Sequence, residues 1–268
     1  MAEEWMPIAL GTLDDVWRTL VDLQAKGWLC RGHSRFRGGL IPSIDRGPRE
    51  CLARAEKVRL ERQSIDLFRS TARFFADPGE QGAMFDDFIT LMVLRHYGVP
   101  TRLLDWSASP YVATYFAVGD DDQHDGELWA FDRPTYEQVG KSQWLRWPQT
   151  TTDRSGKDDK FDAKLTAFLI KEPPDWFIAA WYPQGFPRQN AQQGWYTATA
   201  RFGVDHANAI DELLADASHR QRYVFRSELK AGLRTALREQ HGIWRGSLFP
   251  DSAGAADTAH ELFRARGV

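Results

Sequence analysis

Arg95-His96-Tyr97-Gly98-Val99-Pro100-Thr101-Arg102-Leu103-Leu104-Asp105-Trp106-Ser107-Ala108-Ser109-Pro110 is the stretch on which the reading of this chain turns. Upstream of it, Phe85, Phe88, Ile89, Met92 and Val93 recur at helical spacing, so a helix is predicted to end at Gly98, with Pro100 beyond it as a stop. Downstream, Ser109 is suited to cap a second helix that has Pro110 at its first position and buries Val112, Tyr115 and Phe116. Two helix ends are thereby joined by a connection carrying His, Tyr, Thr, Arg, Asp and Ser. Polar connections held by rigid elements are where binding sites tend to lie. The backbone amides after Ser109 are placed to receive an anion. The same residues also have a plain structural use, in which Arg102 and Asp105 pair as an internal clamp, His96 caps carbonyls and Ser109 only caps its helix.

Working outward, Thr12 caps a first helix carrying Leu13, Val16, Trp17, Leu20 and Val21, and Gly27 stops it. The short run 28–33 reads as a strand whose end presents polar side chains, followed by a loop through Gly38 and Gly39 to Leu40-Ile41-Pro42-Ser43. Residues 49–75, with Leu52, Val58, Ile65, Phe68, Ala72 and Phe75, suggest one long or broken scaffold helix. An alternating strand follows at Glu127-Leu128-Trp129-Ala130-Phe131. Residues 133–160 read as a long polar excursion. Its Trp144, Arg146 and Trp147 would either grip a substrate or tuck back as a satellite core.

Strands are predicted at 176–182, 192–199 and 223–225. Helices are predicted at 206–214, at 227–240 before Gly242, and after Pro250-Asp251. No internal repeat or low-complexity linker divides the chain, so the expectation is one domain over residues 1–268, with core motifs at 28–46, 85–131, 176–200 and 242–251.

Composition narrows the function classes. The 268 residues are 43% hydrophobic and 26% charged with a formal net charge of -3, a globular profile with no obligatory polyanionic or membrane partner. Cys30 and Cys51 are too few for a disulfide framework and read as buried thiols. The segment Met1-Ala2-Glu3-Glu4-Trp5 has no signal-like apolar run, and no later stretch is long and apolar enough to span a bilayer, so the cytoplasm is the expected compartment. There is no Gly-rich loop ending in Lys-Ser/Thr, no Gly-x-Ser-x-Gly elbow and no His-Glu-x-x-His helix. His33, His96, His124, His206, His219, His241 and His260 show no ligand spacing, so no metal is expected. Arg35, Arg37, Arg46 and Arg49 form a modest basic stretch, read either as a solvated loop or as an RNA contact.

Cys30-Arg31-Gly32 followed by Leu40-Ile41-Pro42-Ser43, then 96–107 and Tyr115-Phe116-Ala117, resemble the FRG domain family. The resemblance extends to Asp125-Gly126-Glu127-Leu128-Trp129, to 191–196, to Gly242-Ile243 and to Leu248-Phe249-Pro250-Asp251. One departure is Cys30, which stands where the family has an aromatic residue.

A second similarity, to ADP-ribosyltransferases of the Arg-Ser-Glu type, implies an activity and a fold. The fold would be α+β, a single domain with a central split, antiparallel or mixed sheet flanked by helices. NAD would be the substrate rather than a resident cofactor. In that layout Arg31 anchors the phosphates or ribose, Gly32 lets the ligand approach the backbone, and Ser107 or Ser109 braces the site. His96 and Tyr97 would line the nicotinamide pocket, and Thr101 and Arg102 complete the binding set. Breaking the nicotinamide–ribose bond develops positive charge on the sugar, which calls for a carboxylate or strong acceptor near the ribose. The layout's glutamate is replaced here by Gln192 and Gln193, so Asp105 or Gln192 would face the ribose. The implied role is an NAD-consuming transferase or glycohydrolase serving a bacterial toxin or phage-defence system. Its acceptor would be a protein or nucleic acid, with an antitoxin or defence partner and no membrane. The rival is a non-catalytic nucleotide- or RNA-sensing module.

Overall fold

A computed structural model describes residues 5–76, 78–119, 121–146, 177–180, 187–199 and 201–264. The chain begins with strand β1 (Pro7–Leu10) and helix α1 (Leu13–Lys26). The hydroxyl of Thr12 accepts from Asp15 N, and Gly27 closes the helix in the left-handed region at φ 66°. Leu20 and Leu23 on its inner face are fully buried, each stabilising the fold by roughly 1.5–3 kcal/mol. Strand β2 (Leu29–His33) follows, then short 3-10 turns at Ser43–Asp45 and Gly47–Arg49, helix α2 (Arg54–Ala72), helix α3 (Pro78–Ala83) and helix α4 (Asp87–His96).

Strand β3 (Leu103–Ser107), helix α5 (Pro110–Ala117), strand β4 (Gly126–Phe131) and helix α6 (Arg133–Arg146) complete the first half. The second half holds β5 (Phe177–Ala180), α7 (Pro187–Gln192), β6 (Gly194–Thr199), α8 (His206–Leu213), β7 (Arg220–Phe225), α9 (Lys230–His241), α10 (Arg245–Leu248) and α11 (Ser252–Arg264).

The strands form one sheet in the order β1-β7-β4-β2-β3-β6-β5. Among the described residues only β1 and β7 run parallel, so the sheet is mixed and the protein is α+β, as expected. The seam between β2 and β3 is the exception to its regular pairing. There the register reaches only Cys30 opposite Ser107, whereas β2 meets β4 and β3 meets β6 over five positions each. The sheet is therefore split where Arg31 and Asp105 stand.

Alternation along the strands decides what covers each face. Cys30, Leu128, Ala130 and Phe225 pack beneath α1, α5 and α9 on one face. Farther along that face, Leu103, Tyr196 and Ala198 pack beneath α2 and α4. The opposite face buries Leu29, Leu104, Trp106, Trp129 and Phe131 against α8 and Tyr136 of α6. The two helix groups on the first face leave a gap above the split seam.

Several expectations are corrected. Residues 103–107 form a central strand rather than an irregular connection, because all five pair with β6. The long helix is confined to 54–72, and Phe75 and Phe85, expected on buried helical faces, are exposed. Residues 133–146 are helical rather than part of a loop, and 147–160, with Trp147, lie outside the described residues. The strand expected at 176–182 is described only as β5. Gln192 ends a helix and Gln193 takes a left-handed φ of 46°, so neither opens β6. Cys51 is exposed, while Cys30 is buried.

Candidate functional site

The gap above the seam is a cleft of about 520 Å³. Its floor comes from β2, β3 and β6 through Arg31, Gly32, Asp105, Ser107 and Tyr196. One wall is the end of α4 with Arg95, His96, Tyr97 and Gly98, and the other is α5 with Ala113 and Phe116. Arg188 and Gln192 of α7 close the third side. A smaller cavity opens beside it, sharing His96, Tyr97, Arg188 and Tyr196.

Asp105 is the centre of the charge arrangement. Arg95 donates to its Oδ2 from Nε at 2.8 Å and from Nη2 at 2.6 Å, and the third nitrogen of Arg95 donates to Ser43 Oγ at 3.0 Å. Ser43 Oγ also accepts from Thr101 N, which ties the 3-10 turn to the start of β3 and orients the arginine. Arg31 belongs by alternation with Leu29 and His33 on the other face. Its guanidinium turns into the seam, donates from Nη1 to the Asp105 carbonyl and stands 3.6 Å from the carboxylate. Burial alone would raise the Asp105 carboxyl, but Arg95 and then Arg31 outweigh it and hold the group below its ordinary value. The aspartate is thus a fixed anion, and 42% of its side chain stays exposed to the cleft.

Burial pushes Arg31 down to about 10, with Asp105 opposing, so it carries full charge at neutral pH. Its Nε donates to His33 Nε2 at 3.0 Å, which requires His33 to be a neutral acceptor there. Burial supplies that condition by lowering His33 to about 4. Behind it stand Glu127 and Arg222, themselves ion-paired. Arg188 lies over the Phe249 ring at 4.2 Å and makes no ion pair among the described residues.

The structure sorts the sequence-predicted site residues into three groups. Arg31, Gly32, His96, Tyr97, Asp105, Ser107 and Gln192 all line the cleft. Two of these are engaged as braces: Ser107 Oγ donates to the Gln192 carbonyl at 2.7 Å, and the Gln192 amide donates to the Leu248 carbonyl at 3.1 Å. Thr101 and Arg102 are not in the cleft. Arg102 is buried, with Nε and Nη2 on Glu61 Oε2 at 2.8 and 2.6 Å and its backbone N–H on Oε1. The expected Arg102–Asp105 clamp does not form, because Arg102 is held by Glu61 and Asp105 by Arg95 and Arg31.

Gly32 also has a packing reason beside the expected one. A Cβ there would stand 1.9 Å from the Ala113 carbonyl oxygen, so the glycine lets α5 pack on β2. The helix amides after Ser109 are partly taken, since Ser109 Oγ accepts from Val112 N.

Sequence reading assigned no site role to Arg95, Arg188 or Tyr196, and it expected Phe116 to be buried, whereas Phe116 is exposed on the cleft wall. Arg95 heads the quoted stretch, and its place in the last turn of a helix aimed at β3 was the available signal. Arg188 had none, since it reaches the cleft only through α7. Among the described residues no group of His, Cys, Asp and Glu is arranged to hold a metal ion.

Fold and cleft together define a mixed-sheet α+β protein with an arginine-rich pocket at a split seam. Residues 26–126 match the family model of the FRG domain. The matched segment supplies both long walls of the cleft and its Arg31–Asp105–Arg95 core. No curated protein and no solved structure gives a match. Among the described residues no helix is long and apolar enough to cross a membrane.

Proposed function

We propose that the cleft binds NAD and breaks the bond between nicotinamide and ribose, as an ADP-ribosyltransferase-like enzyme or NAD glycohydrolase. The observation that carries this reading is the convergence of Arg31, Arg95 and the anionic Asp105 in one open cleft with aromatic walls. Its volume lies within the roughly 300–1,000 Å³ usual for small-molecule sites. Arg31 and Arg188 supply positive charge for a pyrophosphate, and Tyr97 and Phe116 offer flat apolar surface to a ring.

In the reaction the electron pair of the C–N bond leaves with the nicotinamide nitrogen, which becomes neutral, and positive charge develops on the ribose. Asp105 opposes that charge as a preorganised anion. A nucleophilic oxygen of water or of an acceptor then bonds to the sugar carbon, and its proton passes to solvent. Asp105 is too firmly ionised to act as the proton carrier. Gln192, whose amide is tied to Leu248, serves as wall and not as the charge-bearing group.

We place this activity in the cytoplasm of a bacterium as the effector of a toxin or phage-defence system, with an antitoxin or defence partner. The test is release of nicotinamide from NAD by purified protein, followed chromatographically. Release that disappears in Arg31→Ala, with the fold retained by circular dichroism, supports the reading; protein that binds NAD without turnover favours a nucleotide-sensing module. The sensor has one observation in its favour, that Arg95 already neutralises the carboxylate the chemistry needs.

A further inference from the structure

Outside the cleft, the loop between β2 and Leu40 and the 3-10 turns after it form a second concavity, broad and open. It is lined by Arg35, Phe36, Arg37, Arg46, Gln123, His124 and Asp125. Its charge is poorly compensated. Arg35, Arg37 and Arg46 make no ion pair among the described residues, and Arg46 Nε is buried there without a hydrogen-bond partner. The carboxylates nearby are spoken for. Asp121 is 2.8 Å from the His124 ring, Asp122 holds Arg234, and Asp125 accepts from the backbone of Ser227.

Burial, then Arg37 and Arg95, lowers the proton affinity of Arg46, and both Arg37 and Arg46 weigh on Arg31 in the same sense. Arg46 therefore stands between the outer concavity and the cleft. Asp105 opposes these charges, but an accumulation of like charges around one half-buried guanidinium still favours a bound anion.

Phe36 tells which anion. Its ring is 64% exposed, and the Arg222 guanidinium lies 4.9 Å from its centroid. Arg222 is fixed in turn by Glu127, so the ring is supported from the protein side and presented to solvent. An exposed apolar ring is costly on a solvated loop but is what a nucleobase stacks on, while flanking arginines meet the phosphates on either side. A duplex hides its base faces, and a lipid surface has no flat group to match.

We infer that this outer concavity binds single-stranded nucleic acid, with Phe36 as a stacking platform and Arg35, Arg37 and Arg46 on the phosphates. The surface is separate from the cleft, and its binding stands whether or not the cleft turns over NAD.

The test is fluorescence anisotropy of the full chain with a labelled single-stranded oligouridylate over a range of salt. Phe36→Ala is expected to weaken binding at least about fivefold with the salt slope intact. Arg35→Ala with Arg37→Ala is expected to flatten the log–log salt slope by about 1.4, at about 0.7 for each lost phosphate contact. Arg18→Ala, an exposed arginine on α1, is expected to bind as wild type. The inference is overturned if the oligonucleotide does not bind, or if Arg18→Ala weakens binding as much as the paired substitution. It is also overturned if inorganic polyphosphate or duplex RNA competes as well as single strands while Phe36→Ala binds normally, which is the signature of an undifferentiated cationic surface.

Discussion

Arg95 holds Asp105 through a single carboxylate oxygen, with two of its nitrogens converging on Oδ2 at 2.8 and 2.6 Å. The pair joins the end of α4 to the middle of β3, so the geometry of the cleft floor depends on it. Charge-assisted contacts of this kind are short and directional, and they fix an anion where water would otherwise reorganise.

Because Arg95 and Arg31 keep the Asp105 carboxyl below its ordinary value, it stays ionised through the range in which an unperturbed aspartate protonates. Its contribution is present above the unfolded-state value and is lost only as pH falls through the lower folded-state value. Nicotinamide release is therefore expected to show no acid limb from this group above about pH 4. Arg95→Ala should move that limb toward neutral pH. A wild-type limb centred near pH 6 would contradict the assignment of Asp105.

Acid should weaken the fold through His33. Burial lowers it from 6.5 to about 4, so the fold favours its neutral form. Its contribution is complete above pH 6.5 and declines as pH falls toward 4, by up to about 3 kcal/mol at an upper bound. Denaturant midpoints measured between these limits should fall with pH. His33→Gln, which keeps an acceptor for Arg31, should flatten the slope while lowering stability at pH 7.

Arg102 is expected to matter for stability and not for ligand. Its guanidinium and Glu61 are both nearly inaccessible, and removing one partner of such a pair typically costs about 3–5 kcal/mol. Arg102→Leu should lower the melting temperature strongly. The folded fraction should bind nucleotide with unchanged affinity, and a stable Arg102→Leu protein that has lost nucleotide binding would put Arg102 back in the site.

Gly32→Ala separates the two explanations of that glycine. The added methyl would collide with the Ala113 carbonyl, so α5 must shift off β2 at a cost of about 1–3 kcal/mol or more. The loss should appear by thermal melting without any ligand. Unchanged melting combined with weakened nucleotide binding would favour ligand approach instead.

The helices were legible where their ends are written locally. Thr12 and Gly27 bound α1, and Ser109-Pro110 begins α5, because caps act within a turn of their own residue. Strand β3 was not legible, since Leu103-Leu104-Asp105-Trp106-Ser107 becomes a strand only by pairing with Gly194–Thr199, some ninety positions away. The gathering of Arg31, Asp105, His96 and Tyr97 could be expected from their motifs. Which of the polar groups there is spent on structure could not, because Glu61, Leu248 and Ser43, which occupy Arg102, Gln192 and Arg95, carry no local signal of those partnerships. The packing demand on Gly32 was not legible either, as its neighbour Ala113 arrives from a helix far along the chain.

The sharpest test is Asp105→Asn, which preserves shape and removes the charge. Measured side by side, ADP-ribose affinity should be largely kept while nicotinamide release falls at least about 100-fold. Release at the wild-type rate from a folded Asp105→Asn protein would contradict the role given to the aspartate and, with it, the chemistry assigned to the cleft.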